Sequence, residues 1–137
     1  IAKEMVEWGY EKYVREHTIV VGWTEIYARN HMNLIEKYLQ VRMANLCPVE
    51  SYFRHVLARQ EHDRNDRLKE IQVPTLIFVG DDDHFVVSDM SHRSGADILA
   101  KGIPNSKLIV LPGERHSYFY TEPEKVHRMM REFLSER

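Results

Sequence analysis

Two short apolar runs decide the fold of this chain. The first reads VPTLIFV at residues 73–79 and ends at Gly80, and the second reads LIVL at residues 108–111 and ends at Pro112-Gly113. Neither run alternates with polar residues. A continuous run that includes β-branched and aromatic residues is typical of a strand buried on both faces, as strands in parallel sheets are. The sequence therefore predicts two buried strands.

One helix is predicted between these strands and another after them. The first begins with Ser88 as its N-cap and ends at Gly102. In the last helix, Thr121 and Glu124 fit a capping box and Pro123 fits the first turn. Because a strand–helix–strand unit makes a right-handed crossover, the two strands are expected to be parallel.

The N-terminal part of the chain has a different pattern. Apolar residues recur at helical spacing, first from Met5 to Val14, then from Ile26 to Val41, and again after Pro48. The predicted fold class is therefore α/β, with a helical segment at residues 1–65 followed by a β-α-β-α unit at residues 66–137.

Composition excludes several classes of protein. The 137 residues are 43% hydrophobic and 29% charged with a formal net charge of −2, which argues against disorder and provides no field for nucleic acid. No apolar run reaches the ~18 residues that a membrane span needs. Cys47 is the single cysteine, so no internal disulfide forms, and a cytoplasmic location is expected. The length suits one domain, or half of an α/β domain of roughly 200–250 residues, and the start at Ile1 suggests a piece of something longer.

Acidic and basic side chains follow the two predicted strands. The loop after the first contains Asp81, Asp82 and Asp83, and the loop after the second contains His116. Parallel neighbours about 4.8 Å apart end at the same sheet edge, where open α/β sheets place catalytic residues. We therefore expect Asp83 to contact His116. A carboxylate that accepts from one imidazole nitrogen fixes the tautomer and leaves the other nitrogen as a base.

Other interpretations of these loops remain. Asp81 or Asp82 takes the place of Asp83 if the register of the turn differs, and all three carboxylates also suit an ordinary turn. His84 suggests a metal site together with the three aspartates and His116, although the spacing is not diagnostic. The remaining histidines lie on predicted helices or at their ends and are interpreted as surface or capping residues: His17, His31, His55, His62, His92 and His127.

Residues 68–134 resemble the C-terminal half of an α/β-hydrolase. Five segments carry the resemblance, in the order that the family has them. They are the lead-in to the penultimate strand (68–77), the turn whose last Asp is the catalytic acid (80–83), the approach to the final strand (103–108), the loop of the catalytic histidine (113–116) and the opening of the last helix (122–126).

The resemblance implies a cofactor-independent hydrolase of the Ser-His-Asp type that acts on acyl or ester bonds of a small-molecule substrate. Asp83 would be the catalytic acid, His116 the base and residues 1–65 the helical cap, and no metal or cofactor is expected. The nucleophile elbow Gly-x-Ser-x-Gly is absent, and Cys47, which precedes Pro48, is a poor substitute. The chain is therefore expected to be a fragment that is inactive alone.

Two strands make a poor sheet, because one edge lacks a neighbour. The expected partner is the missing N-terminal half of the enzyme or a second copy that pairs through residues 73–79. The alternative function is a non-catalytic α/β module for assembly or small-molecule binding. A small metal-binding domain is a third interpretation.

Overall fold

The computed structural model describes residues 2–83 and 91–136, which form two compact units. Unit 1 comprises Ile1–Val20 and Glu25–Asp63, and unit 2 comprises Val21–Thr24 and Arg64–Arg137. Within these described residues, no helix combines the length and the apolar character that a membrane span needs.

Unit 1 is built from helices, as the apolar spacing predicts. They are α1 (Ala2–Trp8), α2 (Tyr10–Gly22, whose last residues belong to unit 2), α3 (Glu25–Ala44) and α4 (Val49–Glu61). The single helix expected from Met5 to Val14 is two helices, because Gly9 has a φ of 82° and interrupts it. A positive φ of this size is accessible to glycine at little cost.

Apolar side chains and an ion pair between α2 and α3 hold unit 1 together. Met5, Tyr13 and Val14 form a buried cluster between the first helices. Arg15 on α2 donates two hydrogen bonds, of 3.0 and 2.7 Å, to the carboxylate of Glu36 on α3. This bidentate geometry adds orientation to the apolar packing.

Unit 2 has the predicted order of strands and helices. After a 3₁₀ helix at Asn65–Glu70 come β1 (Thr75–Gly80), α5 (His92–Gly102), β2 (Ser106–Leu111), α6 (Tyr118–Thr121) and α7 (Pro123–Ser135). The strands are parallel, and their register runs from Thr75↔Ser106 to Gly80↔Leu111. The α/β class and the parallel pairing predicted from the two apolar runs are therefore confirmed.

Helices cover both faces of this sheet. On one face, Ile77 and Val79 of β1 pack with Ala96 of α5. On the other face, Leu111 packs with Tyr118 and Val126. Covering on both sides explains why the strands are continuous apolar runs rather than alternating ones.

Two helix starts differ from the sequence prediction. Ser88 lies outside the described residues, and the N-cap of α5 is Ser91, which exchanges hydrogen bonds with Ser94 in a capping box. The capping box predicted from Thr121 and Glu124 is wrong, because the Thr121 hydroxyl donates to the Glu114 carboxylate instead. The loop after β2 brings the Glu114 carboxylate within hydrogen-bond distance of the Thr121 hydroxyl.

Gly80, the last residue of β1, lies against the loop that follows β2. A Cβ at this position would overlap the backbone carbonyl of Glu114. Gly95 in α5, by contrast, has open space around the position of a Cβ. The two glycines therefore provide a matched pair for substitution.

We expect Gly80→Ala to lower the free energy of unfolding by about 2 kcal/mol, since overpacking against backbone typically costs 1–3 kcal/mol. Gly95→Ala should raise it by about 0.5–1 kcal/mol, because alanine favours helix interiors. Urea denaturation followed by circular dichroism measures both. Equal stability of the two variants would contradict the close approach at Gly80.

Candidate active site

The loops after β1 and β2 meet at the carboxyl edge of the sheet. The backbone N–H of Asp81 donates to the Leu111 carbonyl at 3.1 Å, which continues the ladder by one bond. The N–H of Asp82 then donates to the Glu114 carbonyl, also at 3.1 Å. The backbone of the first loop is thus fixed against the second before any side chain is considered.

Each of the three successive aspartates binds a different residue of the opposite loop. All three carboxylates accept a hydrogen bond across the gap. The pairs are Asp81 with the Gly113 N–H at 2.5 Å, Asp82 with Arg115 Nε at 2.8 Å, and Asp83 with His116 Nδ1 at 3.0 Å.

The structure brings Asp83 and His116 together and keeps the other two aspartates on different partners. The Asp83 side chain is 2% exposed, whereas that of His116 is 57% exposed. Since His116 uses Nδ1 toward Asp83, its Nε2 lies on the opposite side of the ring. His84, the additional metal ligand considered from the sequence, lies outside the described residues.

Hydrogen bonding sets the charge state of this pair. Burial acts to raise the pKa of Asp83, but hydrogen bonds from His116 and His92 outweigh it and lower the pKa to about 2. The Asp83 hydrogen bond raises the pKa of His116 above its ordinary value, against a smaller effect of burial. Asp83 is therefore an ionised acceptor at neutral pH, and His116 is a strengthened base.

His92 is a third member of the site, and the sequence analysis missed its role. Its Nδ1 lies 2.7 Å from Asp83 Oδ1, and its backbone N–H donates to the Asp83 carbonyl at 3.1 Å. The centroids of the His92 and His116 rings are 4.6 Å apart. Both oxygens of the Asp83 carboxylate therefore accept from an imidazole.

A local signal for the position of His92 exists in the sequence. Ser91 and Ser94 have capping-box spacing, which starts α5 at His92 and points its backbone N–H back toward the preceding loop. In a capping box, the third helical position is usually Glu or Gln rather than serine, so the signal is weak.

The loop that contains His116 also forms hydrogen bonds with residues that lie far away in sequence. The backbone N–H of His116 donates to the Val21 carbonyl at 3.4 Å, and that of Ser117 donates to the Gly22 carbonyl at 2.9 Å. Arg115 also donates to the carbonyl of Trp23 at 3.4 Å. Val21–Thr24 therefore belongs to the unit that contains the site.

Comparison with known proteins identifies relatives of this chain. No protein-family model matches it. The bifunctional esterase/perhydrolase DCH of Acinetobacter calcoaceticus is 31% identical over 93 residues, which cover 68% of this chain and 32% of the relative. The 2-hydroxy-6-oxononadienedioate/2-hydroxy-6-oxononatrienedioate hydrolase 2 of Pseudomonas putida is 33% identical over 115 residues, covering 80% of this chain and 38% of the relative.

A solved structure supports the same grouping. A thermophilic esterase from Thermogutta terrifontis with malate bound superposes with a TM-score of 0.71 at 29% identity, covering 98% of this chain and 47% of the esterase. The fold and these relatives agree on the class of protein. The chain belongs to the α/β-hydrolase family, and it spans only about a third of the length of the curated relatives described above.

Replacing Asp83 tests the origin of the His116 pKa. We expect Asp83→Asn to lower the pKa of His116 relative to the wild-type chain, because the charged acceptor that favours the imidazolium is removed. NMR titration of the imidazole Cε1–H resonances measures this change.

Asp82→Asn is the matched control, because Asp82 is ion-paired with Arg115 rather than with His116. It should change the His116 titration far less than Asp83→Asn does. An equal effect of the two substitutions would show that general loop charge, and not the Asp83 hydrogen bond, sets the pKa.

Proposed function

We propose that the complete protein is a Ser-His-Asp hydrolase of acyl or ester bonds, with His116 as general base and Asp83 as the acid that orients it. The hydrogen bond between the buried Asp83 and the exposed His116 is the observation that carries the proposal. Two of the compared proteins are named esterases, which supports the choice of ester substrates.

In the proposed mechanism a serine hydroxyl attacks the acyl carbon of the substrate. His116 Nε2 takes the serine proton and then gives it to the departing alkoxide. Asp83 remains ionised and stabilises the imidazolium that forms between these steps. A water molecule then repeats the attack on the acyl-enzyme, with His116 first removing a proton from the water and then returning one to the serine oxygen.

We propose that the nucleophile is supplied by a segment outside these 137 residues. The sequence has no Gly-x-Ser-x-Gly motif, and the chain spans only about a third of the length of the two curated relatives described above. A base and an acid without a nucleophile and oxyanion donors lose most catalytic power. The chain alone is therefore expected to be inactive.

The helical segment at residues 1–65 is proposed as the cap over the substrate site of the complete enzyme, and residues 66–137 as the C-terminal part of its core. Helices α1 to α4 precede β1 in the chain and form a unit with its own apolar cluster, which supports a separate role. A small-molecule substrate and a cytoplasmic location complete the proposal.

The assay compares the complete protein, obtained by extending the reading frame upstream of Ile1, with the present chain. With p-nitrophenyl acetate, only the complete protein should turn over substrate. His116→Ala should reduce its kcat by 10³-fold or more, roughly the loss that follows removal of a triad member. His127→Ala, an exposed histidine of α7, is the control and should retain activity.

Three results would each contradict a part of this proposal. Undiminished turnover by the His116→Ala variant would remove His116 as the base. A complete protein that folds and is inert toward acyl substrates would favour the alternative, a non-catalytic α/β module. Reaction of the isolated chain with a fluorophosphonate probe would contradict the external nucleophile.

The open edge of β1 is the proposed attachment point for the rest of the enzyme. Among the described residues, β1 pairs with β2 alone. We expect the isolated chain to self-associate through this strand, because its unpaired N–H and C=O groups are a template for another strand. Light scattering coupled to size-exclusion chromatography should give a mass above the 16.3 kDa of one chain, and a compact monomer at all concentrations would be the opposite result.

A further inference from the structure

Asp83 binds one more imidazole than a proton relay requires. A Ser-His-Asp relay needs one histidine on the carboxylate, and that position is taken by His116. His92 nevertheless lies 2.7 Å from the second carboxylate oxygen. The surplus imidazole indicates a second use of the same buried acid.

The three side chains have the composition and spacing of a metal-ligand set. Asp83, His92 and His116 each offer one ligand atom, and these atoms all lie within 4.8 Å of one another. Two imidazoles and one carboxylate are a known ligand set for Zn²⁺ and leave a fourth tetrahedral position for water. Zinc bonds of about 2.0–2.1 Å separate neighbouring ligands by about 3.3 Å. This separation lies between the present hydrogen-bond distances of 2.7 and 3.0 Å and the 4.8 Å limit for the whole set.

The geometry is fixed by the protein itself. His92 is the first residue of α5, whose start is held by the Ser91–Ser94 capping box. Its backbone N–H also bonds to the Asp83 carbonyl, so side chain and backbone are both anchored to the acid. The two imidazole planes are inclined by 31° and converge on one carboxylate.

Access and charge also suit a cation. The side chains of His92 and His116 are 33% and 57% exposed, so an ion can reach the ligands from solvent. Asp83 supplies a negative charge. The cation on the same loop, Arg115, is ion-paired with Asp82 at 2.8 Å.

We propose that Asp83, His92 and His116 form a zinc-binding site. On binding, each neutral imidazole transfers its proton from Nδ1 to Nε2 through solvent, which exposes the Nδ1 lone pair and leaves the ring neutral. Zinc then replaces the Asp83–His116 hydrogen bond. If the proposed function holds, on which this consequence rests, zinc is a reversible inhibitor of the proton relay.

Calorimetric titration of the untagged chain with zinc chloride tests the site. We expect one equivalent to bind to the wild-type chain. His92→Gln and His116→Gln should each weaken binding by at least about tenfold, since loss of even an outer-sphere partner of a metal ligand costs 10–100-fold. His127→Gln should bind like the wild type.

The proposal is overturned if His92→Gln binds zinc as tightly as the wild type, or if the wild type shows no saturable binding. NMR of the wild-type chain covers the case in which a variant does not fold. Zinc should shift the imidazole resonances of His92 and His116 and leave that of His127 in place. Shifts confined to other histidines would also overturn it.

Zinc binding is measured without turnover, so its failure leaves the hydrolase proposal intact. Conversely, saturable binding by a complete protein that has no activity would keep the zinc site and remove the hydrolase. Where both hold, zinc should abolish turnover of p-nitrophenyl acetate by the complete protein, and EDTA should restore it.

Discussion

The parallel pairing of β1 with β2 is the constraint on which the rest of unit 2 depends. The register of this pairing ends at Gly80↔Leu111, so the two strands end at the same level of the sheet. Gly80 has no side chain, and the carbonyl of Glu114 therefore approaches its backbone closely. This close approach packs the loop after β1 against the loop after β2. Asp83 is buried there, in contact with His116.

Burial of Asp83 gives the site its electrostatic character. A carboxylate that is 2% exposed keeps its charge only where donors compensate for lost water, and two imidazoles do so here. The hydrogen bond between Asp83 and His116 lowers the pKa of Asp83 and raises that of His116. The pair is consequently polarised before any substrate arrives, which is what the proposed relay requires.

The sequence predicts those parts of the structure that depend on local pattern. Two apolar runs were sufficient for the parallel strands, and strand order was sufficient for the contact between Asp83 and His116. The left-handed conformation of Gly9 has no comparable signal, since glycine also occurs within helices. Val21 reaches the site through a contact with a distant part of the chain, which a reading of neighbouring residues does not show. His92 is signalled locally, but only by the spacing of Ser91 and Ser94.

The three aspartates, each bound to its own residue of the opposite loop, have a consequence for how this protein can vary. Their carboxylates form hydrogen bonds, in sequence order, with residues 113, 115 and 116. An insertion or deletion of one residue between 80 and 83 would shift the register of these three hydrogen bonds by one residue. A residue other than Asp83 would then lie opposite the His116 imidazole. Natural length variation near this edge should therefore be confined to the connection beyond Asp83.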